Sequence, residues 1–404
     1  MTTREGSGPA GDAVERAHGR AFDGVGLVVV PDATGASRGA TIARAYDRGV
    51  RIGLVCPYSL SLPGGVQGQV LGLARSLRSL GHEVRVLGPC DGPPPDAGVT
   101  PLGMCVPLAA NGSIAPIAPD LPCALRTIRA LRDEGFDVVH LHEPLVPGPC
   151  MTSAVMASAP LVGTFHAAGE SAAYRYASGP LRWLAGRLAV RTAVSPDAVR
   201  LAASHLGGTY IQTFNGVEVA RFAKATPWPT EAPTVLFVGR HEERKGLAVL
   251  LAALPHLPAD ARIWVAGDGP DTTELRQSVA ADPRIEWLGR IDDEERNSRL
   301  RGADVFCAPS LRGESFGVVL LEAMAAGTPV VASDLPGYAN VARPGREGLL
   351  VPPGDAAALG AGLSRVLGDR QLATDLVEAG AVRADELSMD SLAARYLELY
   401  RSVI

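Results

Sequence analysis

Short apolar runs alternate with stretches of helical periodicity through most of the chain. Val66, Val70, Leu73 and Leu77 recur at the three- and four-residue spacing of an amphipathic helix. The apolar runs have the length of strands that are buried on both faces of a parallel sheet. They lie at 52–56, 83–87, 138–141 and 161–165 in the first half of the chain, and at 235–238, 263–266, 285–288, 305–308 and 330–332 in the second. Repeated strand–helix units predict an α/β protein with two parallel-sheet domains that carry helices on both faces.

The first fifty residues do not follow this pattern. Residues 1–50 are rich in Gly, Ala, Asp and Arg and contain a single apolar run at 25–30. Such a composition buries too little apolar surface to fold, so we expect this segment to be disordered. The fold-like pattern starts abruptly at Arg51, and we therefore expect translation of the native protein to begin near Val50.

A second interruption predicts the domain boundary. The segment 222–233 contains the sequence Pro-Trp-Pro at 227–229 and is typical of an interdomain linker. After it, the alternation of strands and helices restarts. The predicted units are a first domain at 51–222, a second domain at 233–387 and an amphipathic helix at about 388–404.

Composition narrows the class of protein. The chain has 404 residues, enough for two domains. A net charge of -5 and a pI near 5.9 provide no basic field for nucleic acid. The six cysteines form no Cys-x-x-Cys pair and no zinc-ligand spacing, which predicts reduced thiols in a cytosolic protein. No apolar run approaches the roughly 18 residues of a membrane-spanning helix, and no secretory signal is recognisable.

Two carboxylates near residue 318 are the strongest indication of a binding site. Glu314 and Glu322 have seven residues between them. If the chain is helical from about Ser315, their separation is roughly 12 Å, about the span from the sugar to the ribose of a sugar nucleotide. The helix N-terminus between them would present free N–H groups to a diphosphate. Glu322 lies in an apolar run where an unpaired charge is costly, which favours this interpretation over a buried helix with two surface carboxylates.

Two further motifs follow predicted strands and could bind phosphate. Arg240 and Lys245 belong to a charged loop, and Lys245 is one of only two lysines in the chain. Both could neutralise a diphosphate and stabilise a departing nucleotide, although a solvated charged loop is the alternative. Gly64 and Gly65 would let the backbone approach a phosphate or sugar, or could form a plain tight turn. They do not form the G-x-G-x-x-G fingerprint of dinucleotide-binding domains.

Histidines at strand ends are candidates for the opposite side of the site. His166 ends a strand of the first half, and we expect it to lie across a cleft from Glu314, unless it is a structural histidine. His142 and Glu143 end another strand and could line the same cleft, but a structural role is favoured for them. No Ser-His-Asp arrangement suggests a hydrolase. Asp292-Asp293 follows a turn, whereas the metal-binding D-x-D motif ends a strand, so no metal site is predicted here. The two aspartates would equally suit the N-terminus of a helix.

Together these motifs resemble glycosyltransferase family 4, whose members have the GT-B fold. The resemblance covers about 51–404 and depends most on the Glu314-x7-Glu322 spacing followed by Ala-Ala-Gly-Thr-Pro at 325–329. Within that family the chain is most similar to the phosphatidylinositol mannosyltransferases of actinobacteria. The segments that carry this likeness are 51–59, 63–67, 111–113, 140–144 and 164–166. The fold that it implies is two Rossmann-like domains facing a central cleft, with the last helix packing back on the first domain.

The resemblance implies a retaining transfer of mannose from GDP-mannose to an inositol hydroxyl of phosphatidylinositol. It proceeds without a protein nucleophile, by a front-face mechanism in which the leaving phosphate helps to deprotonate the acceptor, and no cofactor is obligatory, although Mg²⁺ could assist. The catalytic residues implied are His166, Arg240, Lys245 and Glu314. The donor-binding residues are Gly65, Arg240, Lys245, Ile291, Asp293, Arg296, Glu314, Phe316, Gly317, Val318 and Glu322, and the acceptor-side residues are Tyr58, Gln67, Asn111 and His166.

The sequence departs from the family on the acceptor side. Basic or polar residues of the family are replaced by Pro116, Ala118, Ala167 and Ser171. In the family, the basic residues at these positions would meet the phosphate of the acceptor. Another nucleotide-sugar donor or a soluble acceptor, such as inositol phosphate or a small sugar, therefore stays open for this chain. A sugar-nucleotide epimerase and an inactive binding protein are more remote alternatives, since the residues for proton removal are missing and the donor motifs are intact.

One predicted helix could bind a membrane surface. Arg126, Arg129 and Arg132 recur along 121–132 beside apolar residues. Such a helix could lie on an anionic membrane, with each basic residue contributing roughly 1 kcal/mol. It could equally be a surface helix that packs its apolar stripe inward. Mainly because of the family resemblance, the expected location is cytoplasmic and peripheral to the inner face of the cell membrane.

Overall fold

The computed structural model describes residues 49–110, 113–167, 174 and 178–404. The segment predicted to be disordered lies almost wholly outside these residues, as do Asn111 and Ser171. Within the described ranges no helix is both long and apolar enough to cross a membrane.

The first sheet has seven parallel strands in the order β3-β2-β1-β6-β7-β8-β9. The strand order reverses between β1 and β6, and ligands of open α/β sheets bind beyond the carboxyl ends of the strands at such a point. Between β3 and β6 in the sequence, β4 and β5 form a separate antiparallel hairpin. The strands are β1 (Arg51–Val55), β2 (Glu83–Gly88), β3 (Val99–Pro101), β4 (Val106–Ala110), β5 (Ser113–Ile117), β6 (Val138–His142), β7 (Leu161–Phe165), β8 (Val190–Ala193) and β9 (Ile211–Gln212).

Helices cover both faces of this sheet, as the apolar strands require. One face packs against α1, and the other against α2, α3, α4 and α5, so that two apolar clusters form on opposite sides of the sheet. The helices are α1 (Gly65–Ser79), α2 (Leu121–Glu134), α3 (Pro149–Met156), α4 (Ser178–Gly186) and α5 (Pro196–Leu206).

The second sheet has six parallel strands in the order β12-β11-β10-β13-β14-β15. Here the strand order reverses between β10 and β13. The strands are β10 (Thr234–Val238), β11 (Arg262–Ala266), β12 (Ile285–Gly289), β13 (Val305–Ala308), β14 (Val330–Ser333) and β15 (Leu349–Val351). The helices around it are α6 (Val219–Ala223), α7 (Leu247–Ala253), α8 (Thr272–Ser278), α9 (Asp293–Gly302), α10 (Val318–Ala326), α11 (Ala356–Gly368) and α12 (Arg370–Glu386).

The chain crosses between the two sheets twice, at neighbouring points. Val217 N donates to Leu387 O over 3.0 Å, and Met389 N donates to Val217 O over 2.8 Å. Beyond this pairing, α13 (Met389–Arg401) returns to the first sheet and packs against α1. In the other direction α6 packs against α9 and α10 of the second sheet. Phe222, the residue at which the sequence placed the end of the first domain, is therefore already buried in the core of the second.

The α/β fold with two parallel sheets is confirmed, and one local prediction differs. The helix expected from about Ser315 begins at Val318, because Gly317 at its N-cap has a left-handed φ of 96°. Glu314 consequently lies in a loop, whereas Glu322 lies in the second turn of α10.

Candidate active site

Two loops at the carboxyl end of the second sheet hold a cluster of charged side chains. One follows β10 and the other follows β13, the two strands between which the strand order reverses. Leu311 N donates to Arg244 O over 2.8 Å and joins the loops. The cluster thus occupies the place where open parallel sheets bind ligands.

Lys245 and Glu314 are in direct contact. Lys245 Nζ donates to Glu314 Oε1 over 2.6 Å, and Ser310 Oγ donates to the same oxygen over 3.0 Å. Arg244 Nη1 lies 3.7 Å from that oxygen. Only 11% of the Glu314 side chain and 19% of the Lys245 side chain are exposed, which strengthens their attraction relative to a solvated pair. The sequence did not single out Arg244 or Ser310, although the position of Arg244 beside Lys245 is a signal that indicates Arg244.

Arg240 lies in the same loop at its solvent side. Its side chain is half exposed, and its Nε is 3.7 Å from Glu242 Oε2. Glu242 Oε1 also pairs with Arg244 Nη2 over 2.6 Å. The three basic side chains of this loop therefore stand in one network with two carboxylates, Glu242 and Glu314. An incoming anion would find cations that are already oriented.

The N-terminus of α10 opens at this cluster. A Cβ at Gly317 would come within 2.9 Å of Tyr338 Cδ1, so that both its φ and its neighbour require glycine. The first turn of a helix has backbone N–H groups without an intrahelical partner, and the helix dipole makes this end positive. Val318 begins this first turn, and Phe316 and Gly317 connect it to the Glu314 loop. The arrangement suits a diphosphate or the oxygens of a sugar.

A second charged group lies further along α10. Glu322 Oε1 is 3.7 Å from Arg296 Nη2, and Arg296 Nη1 is 3.4 Å from Asp293 Oδ1. Burial raises the pKa of Glu322, against the opposing effect of Arg296. Arg221 Nη2, which the sequence did not single out, pairs with Asp293 Oδ2 over 3.2 Å. Ile291 is half buried in the turn that leads into α9.

Asp292 has a structural role next to this group. Its side chain accepts a hydrogen bond from Glu295 N over 2.8 Å and caps α9. In the described ranges no three His, Cys, Asp or Glu side chains are grouped as metal ligands. Whether Mg²⁺ assists the reaction stays a prediction.

His166 is held at the end of β7 by two neighbours. His166 Nε2 lies 3.0 Å from His142 Nδ1. Glu143 Oε1 accepts hydrogen bonds from His166 N over 2.7 Å and from Ala167 N over 2.6 Å, and Glu143 has a left-handed φ of 52°. Burial raises the pKa of Glu143 to about 7, against the opposing effect of those two N–H groups. That His166 lies across a cleft from Glu314 stays a prediction.

The other first-domain candidates lie near the start of α1. This helix begins at Gly65 without a side-chain cap, and a Cβ placed on Gly65 would meet no atom within 4 Å. Gln67 Nε2 donates to Ser59 O over 3.3 Å, and Tyr58 is half buried and pairs with Ile117 in an isolated bridge. The start of α1 is therefore open at Gly65, two residues before Gln67.

The residues that replace basic or polar residues of the family supply no positive charge to the acceptor side. Pro116 O accepts a hydrogen bond from Ser59 N over 3.0 Å, and Ala118 is fully buried. Ala167 follows His166 and is half buried.

The arginines of α2 are not equivalent. Arg126 Nη1 donates to Leu102 O over 3.2 Å, so this side chain turns toward the segment after β3. Arg129 and Arg132 are exposed and both pair with Asp133, over 3.2 Å and 3.0 Å. Part of their charge is therefore already compensated.

Comparisons with known proteins assign the family. The family model described as Glycosyltransferase Family 4 matches residues 63–221, and the model described as Glycosyl transferases group 1 matches residues 232–369. A phosphatidyl-myo-inositol mannosyltransferase of Mycolicibacterium smegmatis is 43% identical over 366 residues, which are 88% of this chain and 94% of that protein. The protein of the same name from Propionibacterium freudenreichii is 39% identical over 72% of this chain and 79% of its own length.

Solved structures agree on the fold. Anabaena HepE in complex with UDP and glucose superposes with a TM-score of 0.69 at 20% identity, covering 87% of this chain and all of that one (100%). WaaG, a glycosyltransferase involved in lipopolysaccharide biosynthesis, superposes with a TM-score of 0.62 at 18% identity, covering 86% of this chain and 99% of that one. The chain belongs to glycosyltransferase family 4 and is a glycosyltransferase of the GT-B fold.

Proposed function

We propose that the enzyme transfers mannose from GDP-mannose to the inositol ring of phosphatidyl-myo-inositol with retention of configuration. The acceptor follows from relatives of that name, which match this chain over most of its length at 39–43% identity. The observation that carries the proposal is the contact of Lys245 with Glu314 at the open N-terminus of α10, with Glu322 further along the same helix. It supplies separate partners for a sugar, a diphosphate and a ribose on one short element.

The diphosphate would exchange places with Glu314 as the partner of Lys245. Lys245 Nζ is 2.6 Å from Glu314 Oε1. A phosphate oxygen at α10 would attract this ammonium and the guanidinium groups of Arg240 and Arg244. Glu314 would then be free to accept a hydrogen bond from a hydroxyl of mannose. The exchange couples arrival of the nucleotide to formation of the sugar site.

The carboxylates of the second group suit a guanine nucleoside. Guanine presents a ring N–H and an amino group side by side, two donors that one carboxylate such as Asp293 can accept. Glu322 would accept hydrogen bonds from the ribose hydroxyls, for which a half-buried carboxylate is suitable. Arg296 lies between the two carboxylates and would fix both.

Catalysis needs no protein nucleophile in this arrangement. As the bond from mannose to the diphosphate breaks, negative charge develops on the leaving phosphate, where Lys245, Arg240 and the α10 dipole stabilise it. The leaving phosphate oxygen takes the proton from the inositol hydroxyl, which attacks from the same face. His166 and the start of α1 would border the acceptor, and closure of the two domains would exclude water.

The surface of α2 supports action at a membrane. Leu121 and Leu125 are 70% and 58% exposed, and Met104 in the loop between β3 and β4 is 72% exposed. Arg129 and Arg132 stand exposed on the same helix. Exposed apolar residues beside cations are typical of interfacial helices that bind anionic lipid. We infer a peripheral location on the inner face of the cell membrane.

The test supplies labelled GDP-mannose and vesicles that contain phosphatidylinositol. Label in the lipid fraction, incorporated at a rate that falls about 100-fold or more after Lys245→Met substitution, is the expected result. Transfer from GDP-mannose to soluble inositol phosphate but not to lipid would contradict phosphatidylinositol as the acceptor and favour the soluble acceptor that Pro116 and Ala118 suggest. Equal thermal stabilisation by UDP and GDP would contradict GDP-mannose as the donor.

A further inference from the structure

Three buried histidines stand in a row at the carboxyl end of the first sheet. The ring centroids of His140 and His142 are 4.3 Å apart, and those of His142 and His166 are 5.3 Å apart. His140 Nδ1 lies 2.7 Å from Tyr400 Oη, and its Nε2 lies 2.6 Å from Thr164 Oγ1. Both nitrogens of His140 are therefore occupied, and its ring is a fixed surface against which His142 packs.

The pair formed by His142 and His166 is uncharged at neutral pH. Burial lowers the pKa of His166 to about 4 and lowers the pKa of His142 well below its ordinary value. Two neutral imidazoles carry two protons on four ring nitrogens. The hydrogen bond between His142 Nδ1 and His166 Nε2 needs one proton between these atoms. Either His142 donates and His166 is protonated on Nδ1, or His166 donates and His142 is protonated on Nε2.

The surroundings of His142 distinguish the two arrangements. His142 Nε2 is buried and has no hydrogen-bond partner among the described residues. A buried N–H group without an acceptor is rarer and more costly than a lone pair without a donor. The proton of His142 therefore belongs on Nδ1, from which it is donated to His166 Nε2.

The surroundings of His166 favour the same arrangement. The Asn215 side chain interacts with His166 and opposes the effect of burial on its pKa. Asn215 Oδ1 is buried and accepts no hydrogen bond from any described residue. Because His142 already occupies His166 Nε2, Nδ1 is the ring nitrogen left for Asn215, and a proton on Nδ1 suits an oxygen acceptor whereas a lone pair there would not.

We propose that His142 is a positioning residue that fixes His166 in the tautomer with the proton on Nδ1. His166 Nε2 is then blocked, and Nδ1 offers a proton instead of a lone pair. His166 acts in the site as a hydrogen-bond donor and does not take the proton of the acceptor hydroxyl. The consequence for the reaction depends on the proposed function, which places His166 beside the acceptor, whereas the tautomer itself does not.

The direct test is the ¹⁵N spectrum of histidine-labelled full-length enzyme at pH 7. Long-range ¹H–¹⁵N correlations distinguish a protonated from an unprotonated ring nitrogen, and His166→Gln and His142→Asn variants assign the two rings. We expect Nδ1 to be protonated and Nε2 unprotonated in His166. The reverse pattern, or fast averaging of the two, would overturn the inference.

A pair of substitutions separates positioning from packing. In His142→Asn the amide nitrogen lies as many bonds from Cβ as Nδ1 does, so it can still donate to His166 Nε2. We expect this variant to keep the His166 spectrum and to stay within about threefold of wild-type kcat. His142→Phe removes the donor, and we expect the His166 signals to change and kcat to fall about tenfold with little change in the KM for the donor. Equal losses in both variants with an unchanged His166 spectrum would refute a positioning role.

The spectrum also separates this inference from the proposed function. The predicted His166 tautomer in an enzyme that transfers no mannose to phosphatidylinositol would uphold the inference and reject the function. Efficient transfer by an enzyme with His166 protonated on Nε2 would do the opposite.

Discussion

Replacing Lys245 by methionine tests the donor site most directly. The substitution keeps the length of the side chain and removes its charge. Lys245 Nζ lies 2.6 Å from Glu314 Oε1, and its side chain is mostly shielded from solvent. A hydrogen bond to a charged group contributes about 1.5–3 kcal/mol, and removal of one preoriented group from a developing negative charge costs roughly 2.7–4 kcal/mol. A loss of about 3 kcal/mol in transition-state stabilisation corresponds to a decrease in kcat/KM of about 100-fold or more.

The assay is initial-rate kinetics with labelled donor, and the chain provides its own control. Lys224 is the other lysine; it lies exposed at the end of α6, so Lys224→Met should leave the rate unchanged. The fold should persist in Lys245→Met, because Ser310 Oγ still donates to Glu314 over 3.0 Å and Arg244 stays 3.7 Å away. Most of the loss should appear in kcat, since the charge on the phosphate grows during the reaction. A Lys245→Met enzyme within threefold of wild type would show that Lys245 does not bind the departing group.

Three further predictions concern other parts of the structure. The pKa of Glu143 is raised from 4.5 to about 7, so its stabilising contribution is complete below pH 4.5 and is lost as the pH rises through 7. In urea denaturation at pH 8, the free energy of unfolding of Glu143→Gln should therefore exceed that of wild type by about 1–3 kcal/mol, and at pH 4.5 the two should be nearly equal. A larger difference at pH 4.5 than at pH 8 would contradict this reasoning. Gly317→Ala places a Cβ 2.9 Å from Tyr338 Cδ1 at a φ of 96°, and should weaken binding of GDP at least tenfold in calorimetry while binding of lipid vesicles stays normal. The double substitution Arg129→Glu and Arg132→Glu should reduce binding to anionic vesicles by more than tenfold at roughly 1 kcal/mol for each charge, and an unchanged affinity would remove α2 from the membrane contact.

Much of the fold could be predicted because both sheets are parallel and buried. Strands covered on both faces appear in a sequence as short apolar runs, and their carboxyl ends place motifs from distant parts of the chain together. Lys245 and Glu314, which follow two such strands of the second domain, are in contact. The start of α10 differs from the prediction, because the left-handed conformation of Gly317 interrupts a segment whose composition is otherwise helical.

Other parts of the site depend on contacts that no sequence pattern specifies. The two hydrogen bonds to the Glu143 carboxylate come from backbone N–H groups of the next strand end, and nothing in the sequence around Glu143 indicates them. Arg221 reaches Asp293 across 72 positions of sequence, and a chain with many arginines gives no reason to single it out. Arg126 turns to the Leu102 carbonyl, although its spacing groups it with Arg129 and Arg132.

The return of α13 to the first sheet has a consequence for biosynthesis. His140 and Tyr400 share a hydrogen bond across 260 positions of sequence. At about 5–20 residues per second, the ribosome needs roughly 13–52 s to reach Tyr400 after His140. Throughout that interval the buried faces of β6 and β7 lack the helix that covers them, while β10 to α12 form a contiguous segment that is complete before α13. We therefore expect the second domain to fold first during synthesis, and the nascent first domain to be the part of the chain that most needs protection by chaperones.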